Sequence, residues 1–261
     1  MATKDKKARY ISRSLLKGLE ILKMFNEETP SLSLAEIAEK LGVSRTTPYR
    51  LLYTLQEAGF LHQDENTKRY ELTPKVLQLG FSYLNALQLP EMAAPYLEKL
   101  RDETNASAHL GILDGREVVY VSRVPARGVT TVHVNVGSRL PAYATAIGKV
   151  LLAYQPVEKL KGIIYGTELH TYTEYTKTDL FALQKELDEI REKGYAISNE
   201  EFEEGISSVA APIFNRQKKA IAAINLAAPA YQVKKDKLEQ VFLPRIQEVA
   251  KKLSVYSGYR F

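Results

Sequence analysis

The sequence predicts an α+β protein with two domains and a connecting helix. Three observations support this class: two short helical patterns meet at a glycine near residue 42, a hairpin pattern with a basic edge follows, and strands and helices alternate beyond residue 90. We therefore expect a winged helix-turn-helix over residues 10–73, a linker and dimerisation helix over residues 74–90, and a mixed α/β domain over residues 91–261. The last is a frequent design for a small-molecule sensor.

The helix-turn-helix is predicted between Ser33 and Leu61. Ser33 and Glu36 have the spacing of a capping box, after which apolar residues recur at helical intervals. Gly42 can adopt the left-handed conformation that ends a helix, with Val43 as an apolar plug. Ser44 is the predicted N-cap of the second helix, whose inward side chains are Leu51, Leu52 and Leu55.

The opposite side of the second helix is polar and basic and suits the major groove of DNA. A helix packed steeply on its neighbour presents such side chains to base edges. The alternative is a solvated face of an all-α domain that binds no nucleic acid. The residues predicted to contact DNA are Arg45, Thr46, Thr47, Tyr49 and Arg50, with Tyr53 in the same stripe.

A short hairpin after Gly59 favours DNA binding. Phe60-Leu61 and Tyr70-Leu72 flank a polar turn, which is the pattern of the wing in a winged helix. Lys68 and Arg69 form its basic edge and are predicted to hold phosphates beside the groove.

Bulk composition is that of an ordinary globular protein. The net charge is +5, and residues 1–75 hold 13 Lys and Arg against 10 Asp and Glu, so the position of the charges carries the DNA prediction rather than their number. The chain has no cysteine, which excludes disulfides, zinc–thiolate sites and thiol nucleophiles. No apolar run reaches the roughly 20 residues of a membrane span, and no signal peptide is recognisable, so we expect a cytoplasmic protein.

Two segments beside this domain have alternative interpretations. The basic residues at positions 4–9 are either a solubilising tail or an arm for the minor groove. A first helix is expected from Ser12 or Ser14. A further helix is predicted from Thr73-Pro74 to Leu89-Pro90, with an apolar stripe that packs on a second subunit or on its own C-terminal domain. We favour the dimer. The predicted apolar face of the first helix is Leu15, Leu19, Leu22 and Phe25.

The C-terminal part predicts a mixed sheet with helices at both ends. Asp114-Gly115 is a strong two-residue hairpin signal between the first two strands, and Val132, Val134 and Val136 alternate as a third strand. The predicted elements are strands Ala106–Leu113, Glu117–Val124, Val209–Phe214 and Ala220–Ala227, and helices Met92–Thr104, Thr145–Ala153, Val157–Ile164, Leu180–Lys193 and Asp236–Leu253.

Several motifs together resemble the IclR-type transcriptional regulators, from about Ser14 to Leu253. They are LDGREVVYVSRV, VGSRLPAYATAIGKVLLA, KGYAISNEEFEEGISSVAAPIF and AIAAINLA. RYELTPKVLQLG and PYLEKL look most like the PcaU/PobR-like branch, which responds to aromatic acids such as protocatechuate or 4-hydroxybenzoate. The resemblance implies a homodimer, often a dimer of dimers, whose GAF-like C-terminal domain binds a small metabolite and alters operator binding or polymerase recruitment. It implies no cofactor and no metal.

The resemblance also implies an effector pocket. A carboxylate suits the backbone N–H groups at the start of the helix near Thr145, while hydroxyl and amide side chains suit ring hydroxyls. His109 and Arg123 are charge partners for the effector or make structural hydrogen bonds instead. The residues implied for the pocket wall are Val129, Val132, Thr145, Ala146, Ile147, Ser198, Ser208, Asn225 and Ala227.

The chain departs from some relatives at three positions. Ser198 and Ser208 stand where some relatives carry an acid and a cysteine, so their ligand sets need not transfer. Pro48 is unusual at a position that we expect to be exposed in the second helix. Near the first turn it forfeits only one early backbone bond, and it changes how Thr46 and Thr47 meet the bases.

The main alternative function is a small-molecule-processing enzyme with an accessory helical domain. The four histidines have no metal-ligand spacing, and neither a G-x-S-x-G elbow nor a phosphate-binding loop occurs. Glu200-Glu201 and Glu203-Glu204 would be a general-acid pair or a charged loop over a pocket. An RNA-binding winged helix lacks an exposed aromatic platform. We predict a ligand-responsive transcriptional regulator with no catalytic residue. Its expected binding partners are double-stranded operator DNA and an aromatic carboxylate effector.

Overall fold

The computed structural model describes residues 10–128, 134–164, 168–233 and 235–260. The chain divides into two compact units, Met1–Ala86 and Leu87–Phe261. Among the described helices, none combines the length and the apolar character that crossing a bilayer requires.

The N-terminal unit is a winged helix. Its three strands form a small antiparallel sheet in the order β1-β3-β2, in which β3 pairs with both neighbours. Its elements are helices α1 (Arg13–Lys23), α2 (Leu34–Lys40), α3 (Thr46–Glu57) and α4 (Val76–Ala86), and strands β1 (Ser31–Leu32), β2 (Leu61–Gln63) and β3 (Tyr70–Leu72).

The start and the end of α2 form as the sequence predicts. The Ser33 backbone N–H donates to Glu36 Oε2 at 2.7 Å, and the Ser33 hydroxyl accepts from the Glu36 N–H, which completes the capping box. Gly42 follows the end of α2 with φ +62°, a left-handed conformation in which a residue with a Cβ would be strained. The Val43 N–H then donates back to Ala38 O, so the orphan carbonyls of α2 are satisfied locally.

The predicted inner face of α1 is wrong in part. Phe25 is buried beyond the helix end, but Leu15 and Leu19 are 63% and 45% exposed, while Ile21 is fully buried. A single amphipathic pattern cannot select between two apolar stripes on one helix, and packing against α3 selects the stripe that contains Ile21. Ile21 joins a core with Leu32, Ile37, Leu52, Leu61 and Tyr70.

The predicted single helix after Pro74 is shorter than expected. Pro74 lies in a turn, held because the Thr73 hydroxyl donates to Gly59 O and accepts from the Lys75 N–H. Helix α4 therefore begins at Val76 and ends at Ala86, and Gln88 starts the next helix. Leu87 has extended backbone between them, so Pro90 falls in a first turn, where a missing N–H costs little.

The C-terminal unit alternates strands and helices. Strand β5, α7 and α8 have the predicted bounds, while β6 and β7 were not predicted. Its helices are α5 (Gln88–Thr104), α6 (Ala146–Ala153), α7 (Val157–Ile164), α8 (Leu180–Lys193) and α9 (Leu243–Tyr256), and its strands are β4 (Ser107–Asp114), β5 (Glu117–Val124), β6 (Arg139–Pro141), β7 (Ala196–Asn199), β8 (Ile206–Phe214) and β9 (Ala220–Pro229).

The six strands form one sheet in the order β6-β5-β4-β9-β8-β7. Every pairing between these strands is antiparallel, so the predicted mixed sheet is wrong. The predicted third strand is also wrong where it is described: Val134 and Val136 lie outside any strand, and Val132 lies outside the described residues. The predicted last helix starts within one residue of the expected position, but it is not uniform: Lys235–Lys237 and a π-helical segment, Leu238–Phe242, lead directly into α9.

Small residues let helix α6 lie close to neighbouring backbone. A Cβ at Gly148 would lie 2.2 Å from the carbonyl oxygen of Ala142, so only glycine fits there. The 3₁₀ turn Ala142–Ala144 therefore packs directly on α6 and sets where Thr145 starts the helix. Every residue of α6 is buried, which makes this helix the centre of the C-terminal core.

One of those buried residues is charged. Lys149 is 0% exposed, and its ammonium donates to Glu201 Oε1 at 2.6 Å, Glu186 Oε1 at 2.8 Å and the carbonyl oxygen of Ile197 at 3.1 Å. Three donors thus meet three acceptors, from α8, β7 and the loop after β7. Burial raises the pKa of Glu201 above its usual range, and the Lys149 charge acts against that rise.

We expect Lys149→Met to destabilise the C-terminal unit by about 3–5 kcal/mol, because it leaves buried carboxylates without their cation. Lys177→Met is the matched control: Lys177 also pairs with Glu186, at 3.0 Å, but its side chain is 43% exposed. Its removal should cost about 0–1 kcal/mol. Urea unfolding followed by circular dichroism measures both. A Lys149→Met protein as stable as the control variant would contradict the role of the buried ammonium.

Candidate functional site

The exposed face of α3 carries the residues predicted to meet DNA. Arg45, Thr46, Thr47, Tyr49 and Arg50 are all exposed, and Tyr49 and Tyr53 each retain 59% of their accessible surface. Leu52 on the opposite side is fully buried. Neither arginine takes part in an ion pair within the described part of the chain. The helix therefore presents a continuous polar and basic surface with two cationic side chains available.

Two expectations about the start of α3 are wrong. Pro48 is buried rather than exposed, because it lies four residues before Leu52 on the same side of the helix. It also occupies the first turn, where its missing N–H has no intrahelical acceptor. Ser44 does not cap the helix: Arg45 is the N-cap without a side-chain bond, and the Ser44 hydroxyl lies 3.0 Å from the Thr46 hydroxyl.

The wing is held by its own turn. Asp64 Oδ1 accepts from the Thr67 N–H at 2.7 Å, the Thr67 hydroxyl at 2.8 Å and the Asn66 N–H at 3.0 Å. The Thr67 hydrogen bonds lower the pKa of Asp64. Lys68 follows in the left-handed region at φ 55°, with its side chain exposed at the tip. A locally ordered turn therefore presents the ammonium group of Lys68 to solvent.

Arg69 is engaged inside the unit. Its Nε donates to the Ser31 hydroxyl at 3.0 Å, and its Nη2 donates to the Ser31 carbonyl at 2.9 Å and lies 3.0 Å from Glu36 Oε2. The guanidinium thus fastens β3 to β1 and to the capping box of α2. Bonds from Ser33 and from Arg69 lower the pKa of Glu36 to about 2. Of the two predicted phosphate contacts, Lys68 faces solvent more freely than Arg69.

The C-terminal unit contains a cavity of about 50 Å³ where the sheet meets the start of α6. Six of the residues implied for the effector pocket line it. They are His109, Thr145, Ser198, Ser208, Asn225 and Ala227.

Strand register explains why these distant residues converge. Ser198, Ser208 and Ala227 are direct neighbours on β7, β8 and β9. Asn225, two residues from Ala227 on the same face, is opposite His109 on β4. One face of four adjacent strands therefore forms the floor of the cavity.

Thr145 closes the floor from the helix side. Its hydroxyl accepts from the Gly148 N–H at 3.2 Å and so caps α6. The side chains of Ala146 and Ile147 do not line the cavity but lie in the apolar core. Only their backbone N–H groups belong to the first turn of the helix, which is where an anion would be favoured.

The remaining predicted residues lie elsewhere. Arg123 is the neighbour of His109 across β4 and β5, and its guanidinium donates to Asn135 Oδ1. It does not line the described cavity. Val129 and Val132 lie outside the described residues. The wall also contains Glu203, from the predicted charged loop over a pocket, and residues that sequence reasoning missed, namely Tyr120, Val134, Leu140, Ala144, Phe202 and Ile206. Alternation along β5 is a signal that could have found Tyr120, whereas the other missed residues carry no such local signal.

The glutamates after β7 build the loop rather than an acid pair. Glu201 binds Lys149, and Glu200 Oε2 accepts from the Gly205 N–H at 2.7 Å. The hydroxyls of Thr173 and Thr176 donate to the carbonyls of Glu200 and Glu201. Phe202 and Glu203 are thereby held at the exposed rim of the cavity.

The polar surface of α3 with its wing, and a separate cavity on the sheet, define a DNA-binding protein that senses a small molecule. The comparisons with known proteins agree. The model of the IclR helix-turn-helix domain matches residues 14–65, and that of the bacterial transcriptional regulator IclR C-terminal domain matches residues 81–255. The chain belongs to the IclR family. The relatives that it matches are named as regulators of transcription, so the enzyme alternative is wrong.

Three curated relatives span nearly the whole chain. The transcriptional regulator XynR of Escherichia coli is 34% identical over 95% of this chain and 98% of its own length. The Pca operon regulatory protein of Acinetobacter baylyi is 35% identical over 91% and 86%. The p-hydroxybenzoate hydroxylase transcriptional activator of the same organism is 35% identical over 92% and 89%.

Two solved structures are similar in fold. A transcriptional regulator from Rhodococcus matches with a TM-score of 0.84 and 35% identity, covering 95% of this chain and 99% of its own. The inducer-binding domain of PobR from Acinetobacter, a double mutant in complex with 3-hydroxybenzoic acid, matches with a TM-score of 0.60 and 33% identity, covering 63% and 97%.

Proposed function

We propose that this regulator responds to a small aromatic carboxylate of the protocatechuate or 4-hydroxybenzoate type and controls genes for aromatic-acid catabolism. The observation that carries the proposal is the cavity itself, where the start of α6 faces a floor of hydroxyl and amide side chains. The names of two relatives, and the ligand of the PobR domain, support it. Residues 10–73 would bind DNA, residues 74–90 would link and dimerise, and residues 91–261 would bind the effector.

The cavity favours a carboxylate through dipoles rather than through a fixed cation. Its described wall contains no lysine or arginine, and its one carboxylate, Glu203, lies at the exposed rim. The N–H groups in the first turn of a helix have no acceptor within that helix, so the start of α6 supplies partial positive charge beside Thr145. We infer that the acid group of the effector lies there, with the ring over Ala227.

The cavity must widen to admit a ring. Its volume is about 50 Å³, whereas benzene occupies an engineered cavity of about 150 Å³. One edge of the wall is formed by the half-buried Phe202 and the exposed Glu203 on the loop after β7. The ring of Phe202 lies beside the exposed ring of Tyr172, with centroids 5.0 Å apart. We infer that this edge moves when the effector enters.

On the DNA, we propose that α3 reads the major groove and that the wing holds the backbone. Arg45, Thr46, Thr47, Tyr49 and Arg50 supply the groove contacts, and Lys68 supplies a phosphate contact. Arg69, through its bonds to Ser31 and Glu36, holds β3 in the position from which Lys68 can contact a phosphate.

Two substitutions test this division. Arg50→Ala should cost about 1–3 kcal/mol on operator DNA and little on random DNA, if the guanidinium binds one guanine. Lys68→Ala should weaken both about equally and lower the salt slope by about 1. Gel retardation of duplex DNA from the protein's own promoter region, at several salt concentrations, measures both. Equal losses for Arg50→Ala on the two DNAs would make it a phosphate contact instead.

We further propose a homodimer or a dimer of dimers assembled through α4. None of the residues of this helix is buried, and its exposed apolar side chains include Leu77, Leu79 and Phe81 at 54–60% exposure. Such a surface needs a partner. Sedimentation equilibrium should give twice or four times 29.4 kDa, and Phe81→Glu should shift the protein toward the monomer, with Tyr10→Glu as a control outside the helix. A wild-type monomer would contradict the proposal.

The effector class is tested by thermal shift. An aromatic acid at about 100 times its Kd adds roughly 2.7 kcal/mol of stability, and a domain of this size gains roughly 2–4 °C per kcal/mol. We expect protocatechuate or 4-hydroxybenzoate to raise the Tm accordingly. Ser208→Ala, which removes a wall hydroxyl and adds no bulk, should reduce the shift. No rise in Tm with any aromatic carboxylate would contradict the proposed effector.

A further inference from the structure

His109 is the most enclosed polar side chain in the cavity wall, with 1% of its surface exposed. Its Nδ1 lies 2.8 Å from Asn225 Oδ1. Its other ring nitrogen, Nε2, is buried and has no hydrogen-bond partner among the described residues. A buried polar atom without a partner is rare in proteins, and in a binding cavity it points to a group that the ligand supplies.

The bond to Asn225 decides what that group must be. An amide oxygen only accepts hydrogen bonds, so Nδ1 carries the proton. Burial, and then the nearby charge of Arg123, lower the pKa of His109, which lies at about 4 although Asn225 acts in the opposite direction. The ring is therefore neutral at pH 7, and Nε2 presents a lone pair.

A neutral donor satisfies this lone pair better than a cation does. Arg123 is the direct neighbour of His109 across β4 and β5, so its charge opposes an ammonium group at the same place. A hydroxyl group has one proton to donate and carries no charge. Leaving Nε2 unpaired against an apolar ligand surface forfeits that hydrogen bond at a desolvated site.

We propose that the cavity selects effectors that carry a hydroxyl group, and that this hydroxyl donates to Nε2 of His109. Resting on the proposed function, His109 is assigned the recognition of the ring hydroxyl that protocatechuate and 4-hydroxybenzoate both carry. The carboxylate of the effector lies at the start of α6. The hydrogen bond from Nδ1 to Asn225 keeps His109 in the tautomer in which Nε2 accepts. His109 is thus the residue that distinguishes a hydroxylated acid from the bare ring acid.

The tautomer is tested first, without a ligand. In protein labelled with ¹⁵N on histidine, two-dimensional spectra distinguish protonated from bare ring nitrogens. His109→Gln identifies the His109 signals by their loss. We expect Nδ1–H and a bare Nε2 at pH 7. A proton on Nε2, or a charged ring, would overturn the proposal whatever the effector is.

Selection is tested next by calorimetry with matched acids. We expect 3- or 4-hydroxybenzoate to bind about tenfold tighter, or more, than the fluorobenzoate with fluorine at the same position, since fluorine fills the space but donates nothing. Binding should shift the Nε2 signal. His109→Leu should reduce the ratio to about one, whereas His170→Gln, at an exposed histidine outside the cavity, should leave it unchanged.

The outcomes separate this inference from the function on which it rests. Equal binding of hydroxylated and fluorinated acids by the wild-type protein would overturn the role of His109 and leave an aromatic-acid sensor. If no aromatic acid binds, the proposed effector class fails, and hydroxylated aliphatic acids are titrated instead. A shift of the Nε2 signal by one of those would support the role of His109, and binding without that shift would overturn it.

Discussion

The C-terminal unit depends on a single buried ammonium group. Lys149 sits inside the protein with no exposure and is matched by oxygens from α8, β7 and the following loop, which are distant in the chain. A buried charge is tolerated only when it is paired, so these three segments have one compatible arrangement around α6. The same helix starts at Thr145, and the same loop continues into Phe202. The ammonium group of Lys149 therefore fixes the positions of both sides of the cavity, the start of α6 and the loop after β7.

The polar interior of this unit serves geometry more than charge. His109 and Asn225 bind each other across adjacent strands, and Ser198 and Ser208 lie in register beside them, so hydrogen-bonding groups converge without a fixed cation in the described wall. Neutral donors and acceptors of this kind discriminate between ligands by which bonds they complete, since an unpaired buried group is costly.

The N-terminal unit is built by shorter-range rules. The Ser33–Glu36 capping box, the left-handed Gly42 and the Asp64 turn each satisfy backbone groups within a few residues of themselves. Arg69 is the exception, because it joins the wing to the capping box across more than thirty residues. The surface proposed to face DNA is thus carried on elements whose own geometry is already ordered, which would reduce the entropy lost on binding.

Local chemistry in the sequence determined most of the elements. Capping boxes, glycine stops and the Asp114-Gly115 hairpin place α2, β5 and α8 correctly, because each signal satisfies backbone hydrogen bonds within its own segment. The motifs also identified the family, and the exposed stripe of α3 followed from helical periodicity. Sequence alone did not decide which stripe of α1 is buried, that the sheet is wholly antiparallel, or that Pro48 faces inward.

Those features, and the completed cavity, were decided by tertiary structure. Ile21 is buried rather than Leu15 because α3 packs there, and Phe202 reaches the cavity because Glu201 is drawn to Lys149, fifty-two residues earlier. Periodicity describes one segment at a time, whereas packing, strand register and the pairing of buried charge depend on contacts between segments that the order of residues does not state.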